Sequence, residues 1–115
     1  MMAENYPNDW DLTWPPGPMD TQWGDDFHDR LVDAARGWDV MGPFADAMKT
    51  SQVQCPRWHE VTCFPESHDE VGNVPDRIVN VGGFGQGLRR NKVAAAATLF
   101  TRGIPLWFMG AESGE

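Results

Sequence analysis

Positive charge is scarce in this chain. Nine Lys and Arg stand against 17 Asp and Glu in 115 residues, a formal net charge of −8. A nucleic-acid or anionic-membrane surface needs a basic footprint, so neither is an expected partner. Long apolar runs are missing too, and none approaches the roughly 18–20 residues of a membrane-spanning helix. Met1-Met2-Ala3-Glu4 offers neither the basic nor the apolar segment of a secretory signal, and a cytoplasmic location is expected. Cysteine is limited to Cys55 and Cys63, which set no disulfide framework and read as two reduced thiols. The sequence holds no HExxH, no CxxC, no EF-hand spacing and no GxSxG. Gly82-Gly83-Phe84-Gly85-Gln86-Gly87 lacks the Lys-Ser/Thr of a phosphate-binding P-loop and reads as a flexible loop. Asp25, Asp26, His28, Asp29, His68 and Asp69 would suffice as metal ligands. The first four fit the start and polar face of a helix without any metal, so neither metal nor cofactor is expected.

What is abundant points elsewhere. Twelve glycines and nine prolines imply much loop, and six tryptophans supply large core anchors or flat stacking faces. An acidic, aromatic-rich surface permits neutral polar ligands such as sugars. The length allows a single small domain, residues 1–115.

Residues 5–22 form a polar loop in which Pro15-Pro16 and Gly17-Pro18 oppose regular structure; Met19 to Trp23 could close it as a short strand. Residues 25–36 predict a helix. Phe27, Leu31 and Ala34/Ala35 recur at helical spacing, Asp25 or Asp26 caps the start, and Gly37 ends it. A second short helix is predicted at 43–50. Val61-Thr62-Cys63-Phe64 reads as a buried strand, followed by a long polar loop at 65–85. Residues 87–101 predict the strongest helix, with Leu88, Lys92-Val93, Ala96 and Leu99-Phe100 as its apolar face. Ile104 to Met109 reads as a strand covered on both faces. The alternation predicts an α/β fold with a parallel sheet or barrel, whose chemistry sits on loops leaving the carboxyl ends of strands.

One segment stands at such a place. Pro65-Glu66-Ser67-His68-Asp69-Glu70-Val71-Gly72-Asn73 directly follows the strand and puts three carboxylates and an imidazole within five residues. Those groups suit acid–base work, metal ligation or binding of sugar hydroxyls. A solvated acidic loop is the alternative.

Ser67-His68-Asp69-Glu70-Val71, after Val61-Thr62-Cys63-Phe64, resembles the fourth sequence motif of the α-amylase family (glycoside hydrolase family 13). The Glu-Ser-His-Asp-Glu-Val variant looks most like its α-glucan branching enzymes. Gly103-Ile104-Pro105-Leu106-Trp107-Phe108-Met109-Gly110-Ala111-Glu112 resembles the family's last barrel strand. Gln22-Trp23-Gly24-Asp25-Asp26-Phe27-His28 resembles the sixth strand and its helix. Ala3-Glu4-Asn5, with Asn8, resembles the end of the fifth strand. The four matches fall in order across essentially the whole chain.

The resemblance implies a partial TIM-type (β/α)8 barrel, from the tip of strand five to strand eight. It implies that Glu4 is the general acid/base and Asp69 the second catalytic acid, stabilising a distorted sugar. His68, Trp23 and Glu70 would bind substrate, an α-1,4-glucan. The parent reaction would be retaining and would form α-1,6 branches, as in glycogen or starch metabolism, with hydrolysis of the amylase or trehalose-releasing type as the alternative. The family's nucleophile, an Asp in Gly-x-Arg-x-Asp, has no counterpart here, and the resemblance puts it before Met1 with the N-terminal barrel half. The chain alone is therefore expected to transfer no glycosyl group. A non-catalytic glucan-binding remnant and a truncated chain that does not fold alone are the competing expectations.

Overall fold

The computed structural model describes residues 1–38, 57–72, 77–81 and 85–114, together with Gly42, Ala45 and Met48. Four short strands form one sheet: β1 (Met2–Ala3), β2 (Thr21–Trp23), β3 (Val61–Cys63) and β4 (Ile104–Pro105). They lie side by side in chain order, and every pairing is parallel. Helices α1 (Asp25–Arg36), α2 (His68–Gly72), α3 (Ile78–Val81) and α4 (Gly87–Phe100) accompany them, and the described residues Gly42, Ala45 and Met48 are helical as well. The expected α/β class with a parallel sheet is therefore observed. No helix among the described residues is long and apolar enough to cross a membrane.

The core follows from the spacing of apolar residues. Phe27, Leu31 and Ala35 lie on one face of α1 and pack with Val61 and Cys63 of β3, Ile78 of α3 and Ala94 and Ala97 of α4. All eight are buried. Helix α1 spans the predicted residues and ends at Gly37, whose φ of 77° is left-handed and whose N–H reaches back to the last turn. Its start differs from expectation. Gly24, not Asp25 or Asp26, holds the cap position. A Cβ there would come within 2.9 Å of Val61 Cγ2, so the close passage of β2 against β3 selects glycine. Asp25 and Asp26 occupy the first turn, where acid groups still suit the helix dipole.

Helix α4 corrects the sequence reading more sharply. The predicted apolar face is outside: Leu88, Val93, Leu99 and Phe100 are exposed, Phe100 at 83%. The inward face is Gly87, Asn91, Ala94, Ala97 and Thr98. Close approach explains it. A Cβ on Gly87 would fall 1.8 Å from the Val79 carbonyl oxygen, so α4 meets α3 through its smallest residues. Asn91 is buried there and donates from Nδ2 to the Ala111 carbonyl.

Two further expectations are corrected. The segment 65–85 is not one long loop, because α2 and α3 lie within it. The run Ile104 to Met109 is not a strand covered on both faces. Only Ile104–Pro105 is strand, it pairs on one side with β3, and both residues are exposed. The Leu106 N–H donates to the Cys63 carbonyl at 2.9 Å, after which the chain turns away. Cys63 is buried, with its Sγ 3.8 Å from the Arg102 carbonyl oxygen, while Cys55 and most of the predicted helix 43–50 lie outside the described residues.

Candidate functional site

Three strand ends meet at one edge of the sheet. Glu4 follows β1, Trp23 ends β2, and β3 runs through Phe64 and Pro65 into α2, which opens with His68 and Asp69. Parallel strands all deliver their carboxyl ends to the same side, so residues distant in sequence converge there. A cleft of about 520 Å³ opens at this edge. Its lining includes Glu4, Tyr6, Trp23, His28, Asp69 and Glu70.

His68 lies between two carboxylates. Its Nε2 is 3.8 Å from Glu4 Oε1 and 3.4 Å from Asp69 Oδ1. All three side chains are more than half exposed. One donor atom from each lies within 4.8 Å of the others, close enough to share a cation. Three exposed side chains give such an ion no enclosed, oriented shell. The same spacing lets the three groups meet one polar ligand together.

Local structure fixes α2. Ser67 and Glu70 form a reciprocal capping box. Ser67 Oγ accepts from the Asp69 N–H at 3.2 Å, and Glu70 Oε2 accepts from the Ser67 N–H at 2.5 Å and the Ser67 hydroxyl at 2.8 Å. Ser67-x-x-Glu70 is the sequence signal of this cap, inside the segment that the sequence reading assigns to a loop. Behind it, Glu66 is 1% exposed and takes a two-pronged contact from Arg77, at 2.7 Å and 3.3 Å. That pair ties the segment before α2 to the start of α3.

Glu70 is thus engaged by the protein itself. Its Oε1 also lies 3.2 Å from His28 Nε2. Burial works against its charge, but the His28 contacts and the Ser67 donors outweigh it and hold the carboxyl at about 2. Burial likewise opposes charge on His28, and Glu70 overcomes it, raising the imidazole above its ordinary value. The expected sugar contact by Glu70 therefore competes with two partners already in place.

Trp23 also differs from the open stacking face a sugar would use. It is 8% exposed, with its ring 4.8 Å from Phe64 and edge-on to His68 at 5.9 Å. Its Nε1 is buried without a hydrogen-bond partner among the described residues. Tyr6, 78% exposed, is the most exposed aromatic ring on the cleft lining. A lone tyrosine in a proline-rich loop carries no periodic signal, so Tyr6 is not legible from the sequence.

In the sequence Asp25 stands at a helix start and among the residues that would suffice as metal ligands. It faces the cleft, where burial and then the neighbouring Asp29 raise its carboxyl to about 6. His28 and its own backbone N–H pull the other way. It is thus a proton-holding group in mildly acidic solution. Sequence gave no hint of that, since the shift comes from tertiary burial.

Fold and edge together define a small parallel α/β domain with an acid–imidazole cleft at the carboxyl ends of its strands. Comparison with protein-family models, with curated proteins and with solved structures gave no match.

Proposed function

We propose that this cleft engages an α-glucan, and that the domain is the second half of a retaining glycan-active catalytic barrel of the α-amylase type. One observation carries the reading. Glu4 and the pair His68–Asp69, 64 positions apart in the chain, converge within 4.8 Å at the edge where parallel α/β folds do their chemistry. The sequence resemblance had assigned to these three residues a shared task on one sugar ring.

The chemistry is consistent with that task. Cleavage of a glycosidic bond develops oxocarbenium-like positive charge, which nearby carboxylates stabilise. On this reading Glu4 delivers a proton to the leaving oxygen. Asp69 and His68 hold hydroxyls of the distorted ring. The sheet order β1-β2-β3-β4, all parallel, fits strands five to eight of such a barrel. No Gly-x-Arg-x-Asp motif occurs in the 115 residues. A covalent glycosyl intermediate would therefore need a carboxylate from another segment. The glucan would then pass to a 6-hydroxyl, the branching outcome. Transfer to water is the hydrolytic alternative, and glucan binding alone is the non-catalytic one.

Calorimetric titration of the purified chain with maltoheptaose tests the reading. Saturable binding is expected, weakened about tenfold or more by Asp69→Asn, the loss of one charge-assisted hydrogen bond. No heat of binding would overturn the proposal. Turnover by this chain alone, free of host enzymes, would overturn the need for an outside nucleophile.

A further inference from the structure

The cleft contains a residue to which the family resemblance assigns no task. His28 sits on the first turns of α1, its side chain 13% exposed, with its ring stacked on Phe64 at 5.1 Å and 15° between planes. Its Nδ1 lies 3.0 Å from the Pro65 carbonyl oxygen. A carbonyl only accepts, so Nδ1 carries a proton and donates it. Its Nε2 meets the Glu70 carboxylate at 3.2 Å, where a second N–H has an acceptor. The remaining charged groups near the ring are Asp25 and Asp29 on its own helix. Of these neighbours, Glu70 first and Asp29 after it favour the doubly protonated ring.

We infer that His28 is a positioning residue: through Glu70 it holds the capped start of α2, and so sets where His68 and Asp69 stand. The contacts form one chain. His28 grips Glu70, Glu70 accepts from the Ser67 N–H and hydroxyl, and Ser67 Oγ accepts from the Asp69 N–H. The Pro65 contact fixes the same segment from its other side. Helix α2 has only five residues and no buried side chain, so it has little packing of its own to hold it. Its orientation must come from its ends. The imidazolium supplies two donors in opposed directions, one to the strand exit and one to the cap, which no neutral side chain of that size provides. This inference rests on the proposed function only in giving His68 and Asp69 a substrate; the positioning itself does not.

The test uses the full chain and has two arms. In the unmodified protein at mildly acidic pH, 15N spectra should show both ring nitrogens of His28 protonated. A neutral single tautomer would overturn the inference without any variant. In the second arm, His28→Gln and Glu70→Gln are compared by amide hydrogen exchange. Each should speed exchange at Ser67 and Asp69 about five- to tenfold, the scale of a lost cap, and the double variant should add little more. Leu31 and Ala94 should keep their protection. Unchanged exchange at Ser67 and Asp69, or loosening spread equally to Leu31 and Ala94, would overturn it. Localised loosening supports the assignment whether or not maltoheptaose binds; failure of binding in the unmodified chain counts against the glucan reading alone.

Discussion

Two groups of charged side chains stand within a few residues of each other and have opposite fates. Glu66 and Arg77 are buried and bound to each other by a two-pronged contact. Glu4, His68 and Asp69 stand more than half exposed, Glu4 and Asp69 on the lining of an open cleft and His68 between them. Glu66 and Asp69 are three positions apart on one segment. The first carboxylate is used to fix the backbone, and the second is held out on the anchored helix. A buried ion pair is costly to break but does no work on a ligand; an exposed cluster adds little stability and is available for chemistry. The difference separates scaffold from site within one motif.

The largest expected effect comes from breaking the scaffold pair. Glu66→Ala removes the carboxylate that buried Arg77 meets with two prongs, which should cost about 3–5 kcal/mol in denaturant unfolding. Against a typical domain stability of about 5–15 kcal/mol, that removes a large share. An unchanged unfolding midpoint would show that the pair does not anchor the segment.

An intermediate effect should follow pH through the His28–Glu70 link. The carboxyl of Glu70 is held at about 2 against an ordinary 4.5, so its stabilisation is complete above pH 4.5 and is lost as pH falls towards 2. The imidazole of His28 is raised above 6.5, so its share is complete below pH 6.5 and is lost as pH rises through the raised value. Asp25 acts in the opposite sense to Glu70. Its carboxyl is raised from 3.8 to about 6, so the folded state keeps a proton that the unfolded chain releases, and stability falls across that interval. Thermal melts should therefore lose midpoint on both the acid and alkaline limbs. His28→Gln should flatten the alkaline loss, and Asp25→Asn should reduce the decline between pH 3.8 and 6, leaving the smaller share of Asp29, which burial also raises. Melts of the two variants that parallel the unmodified protein would contradict these assignments.

The smallest effect on stability is expected at the exposed cluster. His68→Ala and Glu4→Gln should shift unfolding by no more than about 0.5 kcal/mol, because each side chain already meets water. Loss comparable to Glu66→Ala would erase the distinction between scaffold and site.

How far the sequence disclosed this arrangement depended on which physical signal each element carries. Helix α1 was legible because Phe27, Leu31 and Ala35 repeat at helical spacing and Gly37 terminates them. Helix α4 was located correctly, yet its face was reversed. Hydrophobicity marks Leu88, Val93 and Phe100, whereas the actual contact is made by Gly87, Ala94 and Ala97, chosen for close backbone approach. Apolar patterning reads burial by bulk and misses packing by smallness. Strand β4 was overextended because Ile104 to Met109 is apolar throughout, while its pairing involves Ile104 and Pro105 on one side only. Within the site, His68 and Asp69 were legible from their place after β3. The nearness of Glu4 followed from the resemblance, and its 3.8 Å approach to His68 is a tertiary fact. The roles of His28, Asp25 and Tyr6 arise from burial and cleft geometry that no local pattern encodes.

The glucan reading is tested most directly by residue-resolved NMR titration of the full chain with maltoheptaose. The account predicts saturable shifts concentrated at Glu4, Tyr6, His68 and Asp69, with the exposed face of α4 around Val93 and Phe100 unmoved. No shift at saturating sugar, or shifts confined to α4, would contradict it.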